Sequence, residues 1–194
     1  DSVGNSASDV QIITVTDPTP PTISCPSDIT VNLPLNSTAV STVVNFNVTG
    51  NDNCGSPTIT TDAPAGNVFP VGTTTVTATA NDGNGNTASC SFNVTVLYNF
   101  TGFFSPVSNP PVLNEVKAGS GVPIKFSLSG DKGLGIFAPG SPSSGPIPCN
   151  SGDPATDLVE TVTAGGSSLS YDPVSDQYIY VWKTEAAWAG TCRQ

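Results

Sequence analysis

Between Thr73 and Ala80 the chain reads Thr-Thr-Thr-Val-Thr-Ala-Thr-Ala, and from Phe92 to Val96 it reads Phe-Asn-Val-Thr-Val. Both stretches alternate polar and apolar residues with a period of two, which puts Phe92, Val94 and Val96 on one face of a strand. No window of the sequence repeats at the helical period of about 3.6 residues. Clusters rich in Asn, Asp, Gly and Pro interrupt the alternation at 50–53, 64–67 and 81–86, and these residue types build turns. Strands are predicted near 28–32, 39–48, 57–61, 72–80 and 87–97. That spacing describes a small all-β domain, an immunoglobulin-like β-sandwich.

Charge and composition remove several classes of function. Lys and Arg number 5 against 15 Asp and Glu, a net charge of −10, and there is no His. Five scattered cations cannot neutralise a phosphate backbone, so nucleic acid is excluded as a partner. Without imidazole there is no Ser-His-Asp triad and no His-based metal site. The acids are mostly turn aspartates, and no pair stands out for hydrolysis across a cleft, so the chain reads as a non-enzyme. No apolar run approaches the roughly 18 residues of a membrane span. The Thr-, Ser- and Asn-rich surface and the five cysteines point to an extracellular or cell-surface location.

The first fifteen residues repeat a later stretch. Asp1 falls on Asp82, Gly4 on Gly85, Asn5 on Asn86, Ala7 on Ala88, Ile13 on Val94, Thr14 on Thr95 and Val15 on Val96. Residues 1–17 therefore read as the last strand of a preceding repeat, followed by the stiff spacer Asp17-Pro18-Thr19-Pro20-Pro21. The chain begins at Asp1 without Met or signal peptide, and is expected to be a processed or excised piece. Residues 18–97 are the complete sandwich. Residues 98–194 form a second β-rich domain, with strands predicted near 113–118, 122–128, 156–163, 167–171 and 177–183 and a loop over 138–155. One helical turn is predicted at Thr184–Trp188 with Thr184 as its cap, and a final strand is expected to be missing after Cys192.

Residues 21–97 resemble the hyalin repeat (HYR) domain. The matching landmarks are Pro21-Thr22-Ile23-Ser24-Cys25-Pro26, Asp52-Asn53-Cys54-Gly55, Phe69-Pro70-Val71-Gly72-Thr73-Thr74-Thr75-Val76 and Gly85-Asn86-Thr87-Ala88-Ser89-Cys90-Ser91-Phe92. The resemblance implies an immunoglobulin-like fold, tandem repetition in secreted and surface proteins, a link to adhesion and no catalytic site. Residues 98–194 resemble a bacterial module named after a Pro-x-Lys-Phe motif, which stands here as Pro123-Ile124-Lys125-Phe126. Asn109–Asn114, Gly130–Leu134 and Trp188–Arg193 support that likeness, which implies the context of a large secreted repeat protein.

The cysteines show no C-x-x-C spacing, which argues against a thiol metal site. The sandwich topology gathers Cys25, Cys54 and Cys90 at one end. The HYR resemblance favours Cys25–Cys90, and Cys149–Cys192 would close the second segment. Cys54 is then the odd one, free or bonded to another chain.

Several residues are candidates for binding. Asp52 and Asp82, in Asn- and Gly-rich loops at one predicted end, offer hard oxygen ligands to Ca²⁺, although the same residue types serve plain turns. No other cofactor is required. Tyr178, Tyr180 and Trp182 alternate along one strand, either as a platform for surface glycans or as core. Asn36, Asn47, Asn93 and Asn99 begin N-x-S/T sequons. Ile13 and Val15 would enter an acceptor core if the first strand complements another sheet.

The sequence thus describes a non-catalytic structural or adhesive module of a bacterial surface or secreted repeat protein, partnered by neighbouring repeats of the same chain. One alternative is the subunit of a filament assembled head-to-tail on itself through residues 1–17. The other is a carbohydrate-binding accessory of a secreted hydrolase.

Overall fold

A computed structural model describes residues 9–13, 15–149 and 168–193. The fold is all-β. Its strands are β1 (Thr22–Ser24), β2 (Ile29–Asn32), β3 (Ser41–Val43), β4 (Thr49–Asn51), β5 (Thr58–Thr61), β6 (Val68–Pro70), β7 (Gly72–Asn81), β8 (Thr87–Leu97), β9 (Phe103–Phe104), β10 (Gly121–Phe126), β11 (Pro146–Ile147), β12 (Ser168–Asp172), β13 (Gln177–Lys183) and β14 (Cys192–Arg193). Among the described residues one four-stranded sheet has the order β2-β8-β7-β5 and another the order β12-β13-β10-β9, with three two-stranded ribbons besides, consistent with an immunoglobulin-like sandwich. The chain falls into two compact units, one of residues 1–29, 45–67 and 75–94 and one of residues 30–44, 68–74 and 95–194.

The first unit is built on the alternation read from the sequence. Val76, Ala78 and Ala80 on β7, and Phe92 and Val94 on β8, are buried, while the Thr residues between them on β7 face outward. β5 pairs antiparallel with β7, Thr58 opposite Asn81 and Thr61 opposite Ala78. β1 pairs antiparallel with β4, Thr22 opposite Asn51. Phe46 packs edge-on against Phe92 at 5.0 Å between ring centres. Cys25 and Cys90 are bonded, their Cα atoms 5.9 Å apart.

The second unit has an aromatic core. Phe126, Leu128 and Tyr178 are buried together, and Tyr98, Phe103, Ile136, Phe137, Tyr171 and Tyr180 pack around them. β13 supplies the centre of its sheet, pairing with β10 from Gly121 opposite Lys183 to Phe126 opposite Tyr178. Lys132 is buried, and its ammonium donates to the Ser37 carbonyl and hydroxyl. Gly130, at φ +108°, lies so close to the Ser37 backbone that a Cβ there would collide with it. Cys149 is bonded to Cys192, beside the ribbon of β11 and β14.

Several expectations need correction. The β-former run around Val10–Val15 is not a strand in its described residues, because a strand needs a partner for its backbone groups. The stretch 113–118 is loop apart from a single β-bridge at Glu115. The region read as loop over 138–155 contains β11, whose partner β14 lies more than forty residues further on, beyond the reach of local pattern. The final turn is a 3-10 turn at Ala186–Trp188, and Glu185 rather than Thr184 precedes it. Thr184 is buried instead, its hydroxyl donating to the Ser120 carbonyl and accepting from the Ser120 N–H. The predicted strand at 156–163 lies outside the described residues.

Candidate metal centre

Asp17 begins the Pro-rich spacer, Asp52 follows β4 and Asp82 follows β7. Each is fixed locally by the turn it stands in. The Thr19 N–H donates to Asp17 Oδ1 at 3.0 Å, and the Cys54 N–H donates to Asp52 Oδ2 at 3.1 Å. Asp82 Oδ1 accepts from the N–H groups of Asn84 and Asn86 at 2.8 and 3.0 Å, and Asp82 Oδ2 accepts from the Asn86 side-chain amide at 2.6 Å. These are the Asx turns that Asp and Asn make by themselves.

The tertiary fold then brings the three turns together. One carboxylate oxygen from each of Asp17, Asp52 and Asp82 lies within 4.8 Å of the other two. The Asn86 amide also donates to the Asp17 carbonyl at 2.9 Å, which ties the spacer to the 82–86 loop. Asp17 Oδ2 and Asp52 Oδ1 are shielded from solvent and accept no hydrogen bond, although their partner oxygens do. Buried carboxylate oxygens without a donor are rare, since each loses its hydration.

Charge sharpens this. Residues 1–116 contain no Lys, Arg or His, so no side chain from that half of the chain can neutralise the three acids. Each pair of like charges at that separation repels by about 1 kcal/mol in bulk water and about 3–4 kcal/mol at an effective dielectric of ~20. Burial works against the Asp82 carboxylate, yet the hydrogen bonds from Asn86 and Asn84 hold its pKa below the ordinary carboxylate value. Cys54 is exposed and, among the described residues, free. The Asp17 carboxylate beside it, together with partial burial and the nearby Asp52 and Asp82, pushes its thiol pKa up, so it stays protonated and a weak nucleophile. An all-oxygen donor set of three carboxylates suits a hard cation such as Ca²⁺ and not a soft one.

Sequence reasoning selected Asp52 and Asp82 and missed Asp17. The available signal was an aspartate opening a stiff spacer next to a domain otherwise devoid of bases. What the sequence did not show is that the spacer folds back onto the loops.

The other candidates are dispersed. Cys25–Cys90 and Cys149–Cys192 are bonded as described above. Tyr178, Tyr180 and Trp182 do share a face, but a three-ring platform is not exposed: Tyr178 is fully buried and stacked on Phe126 at 5.5 Å, because it stands at the middle of the sheet where the core is deepest. Tyr180 and Trp182 are half-buried in the wall of a groove. Asn36 and Asn47 are exposed. The side-chain amide of Asn93 donates to Asp28 and that of Asn99 to the Leu33 carbonyl, so the nitrogen a glycan would need is already engaged at both. Ile13 and Val15 are 75% and 90% exposed.

Residues 16–96 match the HYR domain family, a range that includes all three aspartates of the cluster. HYR domains are non-catalytic, extracellular, adhesion-type modules, and two disulfides fit an oxidising compartment. No solved structure matches the chain. Among the described residues no helix is long and apolar enough to cross a membrane.

Proposed function

We propose that this chain is a structural and adhesive module of a bacterial surface or secreted repeat protein, and that Ca²⁺ held by Asp17, Asp52 and Asp82 pins its N-terminal spacer to the sandwich. The observation that carries the reading is the pair of solvent-shielded, unpartnered oxygens on Asp17 and Asp52, one from the spacer and one from a loop of the domain. A divalent cation there replaces mutual repulsion by attraction to all three carboxylates. The spacer, already stiff through Pro18, Pro20 and Pro21, then enters the domain at a fixed angle. An array of such modules would bear load as a rod with the cation bound and as a jointed chain without it. Residues 98–194, with their likeness to the Pro-x-Lys-Phe module, follow as a second stiff body.

The test is calorimetric titration of CaCl₂ into the chelator-treated chain, with small-angle scattering of both forms. One site in the range of about 10⁻⁴ to 10⁻³ M is expected, as for extracellular modules. Asp52→Asn with Asp82→Asn should abolish the heat. Absence of binding at ten millimolar Ca²⁺ would overturn the reading.

A further inference from the structure

The three alternating rings of β13 do not form a platform, but two of them help to build a groove. Tyr180 and Trp182 line a cavity of about 560 Å³, together with Tyr98, Phe100 and Phe137 from the segment after β8 and the loop after β10. Phe126 and Leu128, 7% and 5% exposed, are the buried part of its lining. Every lining residue belongs to the second unit. A cavity of this size with a mostly aromatic lining lies in the range of small-ligand sites. Phe100 keeps 52% of its surface in water although it packs edge-on against Phe103 at 5.2 Å. Phe137 meets Tyr180 edge-on at 5.4 Å. The rings are thus positioned by one another while the groove stays open.

The polar groups of the lining narrow the choice of ligand. Among the described residues, the Tyr98 and Tyr180 hydroxyls, the Trp182 indole N–H and the Lys183 ammonium have no hydrogen-bond partner. Burial pushes the Tyr98 pKa up, so its hydroxyl remains a donor. Ser143 and Ser144 add two more hydroxyls. No Asp or Glu lines the groove, although the chain has 15 of them against 5 Lys and Arg, and Lys183 is the one charge of the lining. Acids elsewhere are screened beyond about 8 Å at physiological ionic strength, so a ligand here meets ring faces, donors and one cation. Its complement is a molecule with a flat apolar face, acceptor oxygens round its edge and a negative charge. A sugar ring bearing a carboxylate has all three. A fatty acid shares the charge, but its chain would keep one side in water in an open groove and gain only part of its burial.

We propose that this groove binds a segment of acidic polysaccharide, its uronate rings lying on Phe100, Tyr180 and Trp182 and a carboxylate at Lys183. The strand supplies two of the rings, and the loops around it supply the rest. The proposal stands apart from the cation site and survives its failure.

The experiment titrates short oligogalacturonate into the full chain in the presence of chelator, which keeps calcium from bridging the sugar carboxylates and leaves the aspartate cluster out of the measurement. The chain has two Trp, so its amide spectrum holds two indole N–H signals, and the Trp182 signal, assigned with Trp182→Phe, reports on the groove directly. A saturable shift of that signal is expected, with a Kd of about 10⁻⁴ to 10⁻³ M because the rings stay partly wet. Phe100→Ala should weaken binding by about tenfold and Lys183→Glu by about fivefold. Both side chains are exposed, and circular dichroism checks that each variant keeps its fold. Cello-oligosaccharide, which has the ring without the carboxylate, should bind about fivefold more weakly than the uronate. A Trp182 signal unmoved at ten millimolar oligogalacturonate would overturn the proposal. So would full affinity in both Phe100→Ala and Lys183→Glu, equal affinity for the neutral sugar, or a signal moved by dodecanoate and not by the uronate.

Discussion

The aspartates of residues 1–97 meet no cationic side chain of their own region, whereas Asp176 in the second unit is surrounded by donors. Asp176 accepts from the Tyr171 hydroxyl at 2.7 Å, the Ser127 hydroxyl at 2.9 Å and the Gly130 N–H at 3.0 Å, and Lys132 lies near enough to favour its charge. In the first region the comparable carboxylates of Asp17, Asp52 and Asp82 face one another and leave two oxygens unanswered. The contrast extends to the cores, Val and Ala residues around the single buried Phe92 in the first unit and a cluster of aromatics in the second. One region closes its electrostatics internally. The other leaves them open, and that is the arrangement on which the proposed cation site rests.

That comparison can be broken at several points. The largest effect is expected from the staples, which both regions share. Cys25→Ala with Cys90→Ala, and Cys149→Ala with Cys192→Ala, each open a loop closed over a separation of 65 and 43 residues respectively. Each should lower unfolding free energy by about 4 kcal/mol on the chain-entropy estimate. Denaturant titration checks whether the two losses are alike, as similar loop lengths demand.

Gly130→Ala should come next and touch only the second unit. It places a Cβ against the Ser37 backbone at a positive φ, and a loss of about 3 kcal/mol is expected. A thermal scan in which that variant melts with wild-type midpoint would remove Gly130 from the account.

Calcium should separate the regions most cleanly. At about a hundred times its dissociation constant, Ca²⁺ should stabilise the wild type by about 2.7 kcal/mol. Asp17→Asn keeps the oxygen that Thr19 uses but loses a charge, so it should be no less stable than wild type in chelator and should gain little from Ca²⁺. Equal calcium stabilisation in that variant would mean the spacer takes no part.

The smallest effect is the pH dependence of the second unit. The hydrogen bond from Tyr171, opposed by partial burial and aided by Ser127 and Gly130, holds the Asp176 pKa below its ordinary value. A depressed carboxylate stabilises the fold above its unfolded pKa of about 4 and loses that contribution as pH falls through the lower folded value. The same contact pushes Tyr171 up to about 12. Its contribution is complete below the unfolded pKa of about 10 and fades as pH rises toward the folded value. Asp176→Asn should flatten both limbs, measured as thermal midpoint across the pH range.

Much of the first region was legible because its signal is local. β7 and β8 follow directly from alternation, and the loops at 50–53 and 81–86 from turn chemistry. β11, β14 and the burial of Tyr178 were not legible in the same way. A two-residue strand has no period to detect, and which face of an aromatic strand meets the core depends on what packs above it. Thr184 misled for a related reason: a hydroxyl before a short turn looks like a cap, but a long-range partner at Ser120 took it first.

By itself the sequence determined the all-β class, the strands long enough to carry a period and the acidic, base-free character of residues 1–116. Those properties depend on neighbours along the chain, where the order of residues is the geometry. Only the tertiary structure decided that Asp17 joins Asp52 and Asp82, that Tyr178 goes inward while Tyr180 and Trp182 remain half-open, and that Ile13 and Val15 stay in water. The first two outcomes bring together groups tens of residues apart along the chain, and the free energy that selects among such encounters resides in packing and desolvation, which no local pattern encodes.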